Sequence, residues 1–370
     1  MERTPLRDMD RVGRADRVRQ AMEEEGCQAL VVTKSQNLRW LTGFTGSNGT
    51  AVITGDGLTV LTDARYRAQV HQQLEQGGVQ AEVVIERDLA APLSGAVGPA
   101  DPIGLEAGDV SWARQREMAA WLPGRTLVPT LSLIEELRKV KEPGEVDRLA
   151  RAAAIADAAL ALIAPGLDDG RTERELARDL DRAMIDLGAD GLSFPTIVAA
   201  GPNSARPHAT PSDRPVAPGD MVVVDFGASV DGYGSDMTRS FLVEPVVERS
   251  MEIYRAVEAA QAAGVAAVGA GVEERAVDAA CRHVLAEQGL AEAFVHGTGH
   301  GIGLEIHEDP ILTARATGIL RSGYVVTVEP GAYLPDLGGV RIEDSVVVTD
   351  RGCETLTRFP RDHRVPAAGH

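Results

Sequence analysis

Residues 219–228 read GDMVVVDFGA, and residues 323–332 read GYVVTVEPGA. In each, a glycine opens an apolar run, an acid stands six positions on (Asp225, Glu329), and a Gly-Ala pair follows. Each run then passes a glycine-containing turn, Asp231-Gly232 or Gly338-Gly339, into a second strand carrying another acid. That acid is Asp236 in DGYGSDMTRSFLV (231–243) and Glu343 in GGVRIEDSVVV (338–348). Such dipeptides suit hairpins because glycine accepts a positive φ. The repetition predicts two related α/β halves, each presenting a hairpin with two acids across a shared cleft. Between the copies, residues 248–269 and 273–288 carry helical periodicity.

Upstream, Pro143 is placed to open a long Ala-rich helix ending before Pro165-Gly166, since proline in a first turn loses no hydrogen bond. Thr172 and Glu175 form a capping-box pattern for another helix running towards Gly188. Residues 10–25 read as a charged amphipathic helix, 29–33, 50–54, 58–62 and 82–85 as strands, and 64–76 as a helix. Residues 92–104, rich in Pro and Gly, read as loop. The chain is therefore α/β (α+β), with the domain boundary between Pro129 and Pro143: an α/β domain over 1–135 and a second domain over 136–370.

Composition limits the function. With 370 residues, 55 acids against 37 Lys plus Arg and a net charge of -18, the chain repels a phosphate backbone, and no basic patch offsets this. Nucleic acid is excluded as a partner. A charged start without an apolar core, and no uninterrupted apolar stretch of about 18 residues, argue against a secretory signal or a membrane span. Cys27, Cys281 and Cys353 are odd in number and form no CxxC pair, which suits reduced thiols in the cytoplasm.

The chemistry lies in four acids and a histidine loop. Two carboxylates about 4 Å apart repel by roughly 4 kcal/mol at an effective dielectric of 20, so four converging in one cleft require cations. Two divalent ions balance four negative charges. Residues 296–308, HGTGHGIGLEIHE, place His296, His300 and His307 among alternating glycines. The spacing matches neither a dinucleotide fingerprint nor a zincin helix. One imidazole added to the acids makes an oxygen-rich site with a nitrogen, suited to manganese, iron, cobalt or zinc in a two-metal arrangement.

The ordered set Asp225, Asp236, His300, Glu329 and Glu343 resembles the five metal ligands of the pita-bread metallopeptidases, the group of methionine aminopeptidase, aminopeptidase P and prolidase. The similarity spans about residues 140–350. It implies a pita-bread catalytic domain in which Asp225 binds one metal, His300 and Glu329 the other, and Asp236 and Glu343 bridge. The metals, most simply Mn(II) with Co(II), Fe(II) or Zn(II) as alternatives, acidify a water that attacks the scissile carbonyl, and Glu329 shuttles the proton. His208 in NSARPHA (203–209) and His307 look like the histidines that stabilise the tetrahedral intermediate and grip the substrate. His296 looks like a pocket residue, and Arg341 like the arginine behind the metals in proline-specific members. Tyr333 is a weaker correspondence.

NLRWLTGFTGSNGTAVIT (37–54) and TDARYRAQ (62–69) resemble the amino-terminal domain of aminopeptidase P more than that of prolidase. The implied activity is release of the N-terminal residue from peptides with proline in second position, with an Xaa-Pro dipeptidase as the alternative. A non-catalytic peptide-binding relative is the alternative of another class. Creatinase shares the two-domain form without metal but lacks the ligand set found here. Members of the family commonly form dimers, so the resemblance also implies a homodimer.

Overall fold

The computed structural model describes residues 5–365. Two compact units make up the chain: Asp8–Arg138, and the segment up to Arg7 together with Lys139 onward.

In the first, helices α1 (Arg14–Glu24), α2 (Ser35–Thr42), α3 (Arg67–Gly77), α4 (Ala90–Val97), α5 (Trp112–Trp121) and α6 (Leu133–Lys139) alternate with strands. The strands are β1 (Ala29–Val32), β2 (Gly49–Thr54), β3 (Leu58–Thr62), β4 (Glu82–Ile85), β5 (Ile103–Glu106) and β6 (Leu127–Thr130). They form one sheet, ordered β4-β3-β2-β1-β5-β6. β1 pairs with β2 antiparallel but with β5 parallel, and all four of its residues are buried, as a central apolar run must be. At the carboxyl end of β5, Glu106 accepts hydrogen bonds from the Thr33 and Lys34 amides (2.6 and 2.8 Å) and from Asn37 (2.7 Å). This crevice, where an open α/β sheet commonly takes a ligand, is filled by the protein's own carboxylate at the start of α2.

Of residues 92–104, only 98–102 are loop. Pro92 sits in the first turn of α4, where its missing N–H costs nothing, Gly98 ends that helix, and β5 begins at Ile103.

The second unit opens with α7 (Pro143–Ile163) and α8 (Glu173–Asp186). Pro143 is at the first helical position of α7, as expected. The capping box before α8 is formed both ways: Thr172 Oγ accepts from the Glu175 amide (3.2 Å), and Glu175 accepts from the Thr172 amide (2.9 Å). Although α7 continued to Gly166 is long and apolar enough to cross a membrane, its Ala152, Ile155, Ala156, Ala159 and Leu160 face are buried side chains.

Strands β7 (Gly191–Leu192), β8 (Ile197–Ala200), β9 (Met221–Phe226), β10 (Ala228–Val230), β11 (Tyr233–Gly234) and β12 (Met237–Leu242) follow. After α9 (Glu248–Ala267) and α10 (Glu274–Glu287) come β13 (Gly299–Gly301), β14 (Glu308–Leu312), β15 (Val325–Val328), β16 (Gly331–Leu334), β17 (Gly338–Arg341), β18 (Asp344–Thr349) and β19 (Gly352–Thr355).

The internal repeat is visible strand by strand. β9 and β12 pair antiparallel, while the short β10 and β11 between them peel away into a separate hairpin. β15 and β18 pair in the same way around the β16–β17 hairpin. Each half has its own core. α7 and α8 cover the sheet β12-β9-β8 through Leu160, Leu176, Val222, Val224 and Phe241. α9 and α10 cover β14-β13-β15-β18-β19 through Val257, Val277, Leu285, Val326 and Val346.

Asp231-Gly232 is a hairpin turn with both residues at positive φ (49° and 76°). Gly338-Gly339 is not. Residues 335–337 make that turn, and the two glycines begin β17. A Cβ on Gly339 would lie 2.2 Å from the carbonyl oxygen of Ser204, so glycine there admits a neighbouring backbone.

Gly264 on α9 offers a test of the packing. A Cβ there would stand 2.4 Å from Cys281 Sγ of α10 and 2.7 Å from a Val328 methyl of β15. Alanine gains about 1 kcal/mol of helix propensity, whereas overpacking a filled core costs about 1–3 kcal/mol. Gly264→Ala is therefore expected to lower the urea midpoint. A raised midpoint would show that the α9–α10 contact is looser than described.

Candidate metal centre

Antiparallel register decides where the acids fall. Asp225 on β9 stands opposite Thr238 on β12, and Asp236 immediately precedes β12. In the other half Glu329 follows β15 and Glu343 precedes β18, with Val328 opposite Asp344. Each hairpin thus sets two carboxylates at the same end of a buried strand pair. β13 pairs with β15 and adds His300.

The five side chains come together. His300 Nε2 lies 3.4 Å from Glu329 Oε1 and 3.6 Å from Asp236 Oδ2. Ligand atoms of Asp236, His300 and Glu343 all lie within 4.8 Å of one another. Asp225 joins through Arg341, whose Nη2 donates to Asp225 Oδ2. Glu343 Oε2 accepts from the Thr238 hydroxyl (2.7 Å). The other oxygens, Asp225 Oδ1 and Glu343 Oε1, are buried without a hydrogen-bond partner. His300 Nδ1 is 3.1 Å from the Gly301 carbonyl, which can only accept, so Nδ1 carries the proton and the Nε2 lone pair faces the acids.

Burial, and then mutual repulsion, pushes the carboxyls of Asp236 and Glu343 well above their ordinary range. Burial raises Glu329 to about 8 and also raises Asp225, the nearby guanidinium of Arg341 opposing it in both cases. Desolvation lowers His300 to about 4, leaving a neutral imidazole. Orphaned buried oxygens cost free energy unless something meets them. Carboxylates with one neutral imidazole are the donor set of divalent manganese, iron, cobalt or zinc. The residues fit such ions.

The remaining expected residues surround this set. The His307 ring stands 4.3 Å from that of His300, edge to face, and His307 is exposed. His208 is exposed too, and close enough to Asp225 for its charge to favour that carboxylate. Arg341 Nη1 donates to the Pro207 carbonyl (3.1 Å), fixing the backbone beside His208. The same nitrogen donates to Tyr333 Oη (2.9 Å), which lies 2.9 Å from His296 Nε2. His296 Nδ1 is 2.7 Å from the Gly297 carbonyl, so Nε2 accepts from Tyr333. Burial holds the His296 imidazole down at about 4 and the Tyr333 hydroxyl up at about 12, keeping donor and acceptor as described.

Sequence reasoning missed several supports. Thr238 accepts from Arg341 Nε (3.0 Å) while donating to Glu343, so one hydroxyl links the two halves. Its position two residues after Asp236 was the only signal. Asp344 is wholly buried and accepts from Arg239, Gln261, Thr357 and Arg361. Arg239 also donates to the Glu343 carbonyl, so this ion pair fixes the backbone that presents Glu343. Ser204 accepts from the Gly339 amide (2.9 Å), holding the segment that leads to His208 against β17.

Residues 147–350 match the model of metallopeptidase family M24, and residues 14–140 that of the creatinase/prolidase N-terminal domain. The chain is 37% identical over 353 residues to the uncharacterized peptidase YqhT of Bacillus subtilis, covering 94% of this chain and 98% of that one. Its structure is similar to that of an Xaa-Pro dipeptidase from Bacillus anthracis, with a TM-score of 0.92 and 36% identity, covering 95% and 98% of the two chains. An X-Pro aminopeptidase from Thermotoga maritima superposes with a TM-score of 0.85 at 33% identity, over 93% and 99%. With the duplicated hairpins, the buried acids and the family model in agreement, the chain belongs to metallopeptidase family M24 and carries a creatinase/prolidase-type amino-terminal domain.

Proposed function

We propose that this metallopeptidase hydrolyses the bond before proline at the N-terminus of peptides, with Asp225, Asp236, His300, Glu329 and Glu343 as its metal ligands. The observation that carries the reading is the convergence of Asp236, His300 and Glu343, with Glu329 against His300, together with the unpaired buried oxygens of Asp225 and Glu343. Two divalent ions, Mn(II) in the resident form, supply Lewis acidity and a water of lowered pKa when bound. Glu329 Oε1, the most open of the five with its side chain 18% exposed, takes and returns a proton. His208 and His307, both exposed beside the acids, donate to the substrate carbonyl as charge develops. Arg341 neutralises Asp225 and, through Tyr333, orients His296 towards the substrate.

Proline shapes the rest. Its ring fixes φ and removes the N–H of the scissile bond, so a site that asks nothing of that N–H accepts it. The names of the two structural relatives support proline in second position and divide over length, one a dipeptidase and the other an aminopeptidase. The amino-terminal motifs favour longer peptides. The dipeptidase similarity supports the second reading, an Xaa-Pro dipeptidase. Assembly as a homodimer and a cytoplasmic location belong to the same proposal; the three free thiols support a reducing compartment.

Three measurements test this. An Xaa-Pro-Xaa tripeptide should be cleaved with higher kcat/KM than the matching Xaa-Pro dipeptide, and replacing its proline by alanine should nearly stop hydrolysis. A preference of about tenfold for the dipeptide, some 1.4 kcal/mol in transition-state binding, selects the dipeptidase instead.

His300→Ala should lose metal. His307→Ala and His208→Ala should keep it yet fall roughly 100-fold in kcat, as when an oxyanion donor is removed. Equal metal loss in His307→Ala and His300→Ala would overturn the assignment.

In chelated protein, Glu329 titrates at about 8 against an ordinary 4.5. Its folded pKa is raised, so it contributes stability that is full below the ordinary value and lost as pH rises through the folded one. Asp236 and Glu343 shift in the same direction. The urea midpoint of chelated protein should therefore fall across that window, and cation-loaded protein should not show the fall. Parallel pH profiles for the two forms would contradict the cation requirement.

A further inference from the structure

The segment from Phe294 to Thr298 belongs to no helix or strand, yet it carries His296. Two of its carbonyl oxygens, those of Phe294 and His296, find their side-chain donor on α10. Arg282 provides it: Nη1 donates to the Phe294 carbonyl (3.2 Å) and Nη2 to the His296 carbonyl (2.5 Å). The guanidinium also lies 4.4 Å over the Phe294 ring, and that ring meets His296 edge-on at 5.1 Å. One turn earlier on α10, Asp278 accepts from Arg282 Nε (2.7 Å) with one oxygen and from the Thr298 hydroxyl (2.9 Å) with the other. Thr298 in turn accepts from the Glu329 amide through its carbonyl (2.7 Å).

An Asp–Arg pair four apart on a helix is commonly an exposed ornament of its surface. This one is different. Asp278 is 0% exposed, and removing a buried charge from water is justified only by partners that satisfy it. Of the four groups bonded by the pair beyond itself, none belongs to α10: the Phe294 and His296 carbonyls, the Phe294 ring and the Thr298 hydroxyl all lie in the loop. The pair brackets His296 from both sides.

We infer that Asp278 and Arg282 are positioning residues that hold His296 at the angle from which it meets both Tyr333 and the substrate. The inference rests on reading His296 as substrate-facing. Neither residue bonds a side chain of the four acids or the histidine of the metal set, so their loss is expected to act on substrate binding and to leave metal content unchanged.

The test compares Asp278→Asn, Arg282→Gln and Arg282→Lys with Val277→Ala, which loosens the core face of the same helix at a side chain that makes no hydrogen bond to the loop. Readouts are metal content, KM and kcat on an Xaa-Pro peptide, and the ring-nitrogen NMR signals of His296 in histidine-labelled protein, assigned with His296→Gln. Asp278→Asn and Arg282→Gln are expected to keep wild-type metal, raise KM about tenfold with kcat changed less than about threefold, and move the His296 signals off the Nδ1–H form. Arg282→Lys, retaining the charge and one donor, should fall between. Val277→Ala should lower Tm while leaving KM and the signals unchanged. The inference is overturned if Asp278→Asn leaves both at wild type, or if Val277→Ala alters them as much. Should His296→Gln itself leave KM unchanged, the substrate-facing reading fails, and the His296 signals in the Asp278 and Arg282 variants alone decide the positioning.

Discussion

Four carboxylates confined with a neutral imidazole in a buried pocket form the constraint on which the rest of the catalytic unit depends. Uncompensated, such a cluster costs a substantial part of the roughly 5–15 kcal/mol by which a domain of ordinary size is stable. The protein offsets only part of it. Arg341 meets one oxygen of Asp225, and Thr238 one oxygen of Glu343. The oxygens left over are free to meet cations. A fully satisfied network would have been more stable without metal and useless with it.

The duplicated hairpins explain how one chain gathers so much like charge. A strand pair with a small hairpin peeling from its middle leaves an acid at each break, and two copies supply four. The Arg239–Asp344 pair is the counterpart on the side away from the ions: it is also buried, but saturated with partners and therefore structural. Glu343 and Asp344 are neighbours in sequence with opposite fates, one kept hungry for a cation and the other sealed. The same contrast separates Glu106, satisfied at the start of α2, from Asp225, whose Oδ1 has no hydrogen-bond partner.

Much of this was legible in the residues. The repeat, the capping box at Thr172, the start of α7 and the five converging side chains follow from spacing, periodicity and resemblance. What escaped has physical causes. Residues 92–104 looked like loop because Pro92 and Gly98 are read as breakers, whereas a proline in a first turn and a glycine past a last turn delimit a helix. Gly338-Gly339 looked like a turn because glycines that open a strand, Gly338 at a φ of 138° and Gly339 against the Ser204 backbone, are indistinguishable in sequence from glycines in a turn. Thr238, Asp278, Arg282 and Ser204 act through tertiary neighbours far along the chain, and no local pattern marks them.

The central claim is that two divalent ions sit among Asp225, Asp236, His300, Glu329 and Glu343. Anomalous diffraction from crystals of Mn(II)-loaded protein, collected above the manganese edge, measures it directly. Two peaks enclosed by these five side chains, with the free oxygens of Asp225 and Glu343 turned towards them, are the expected result. No peak there, or ions bound only elsewhere on the acidic surface, would contradict it.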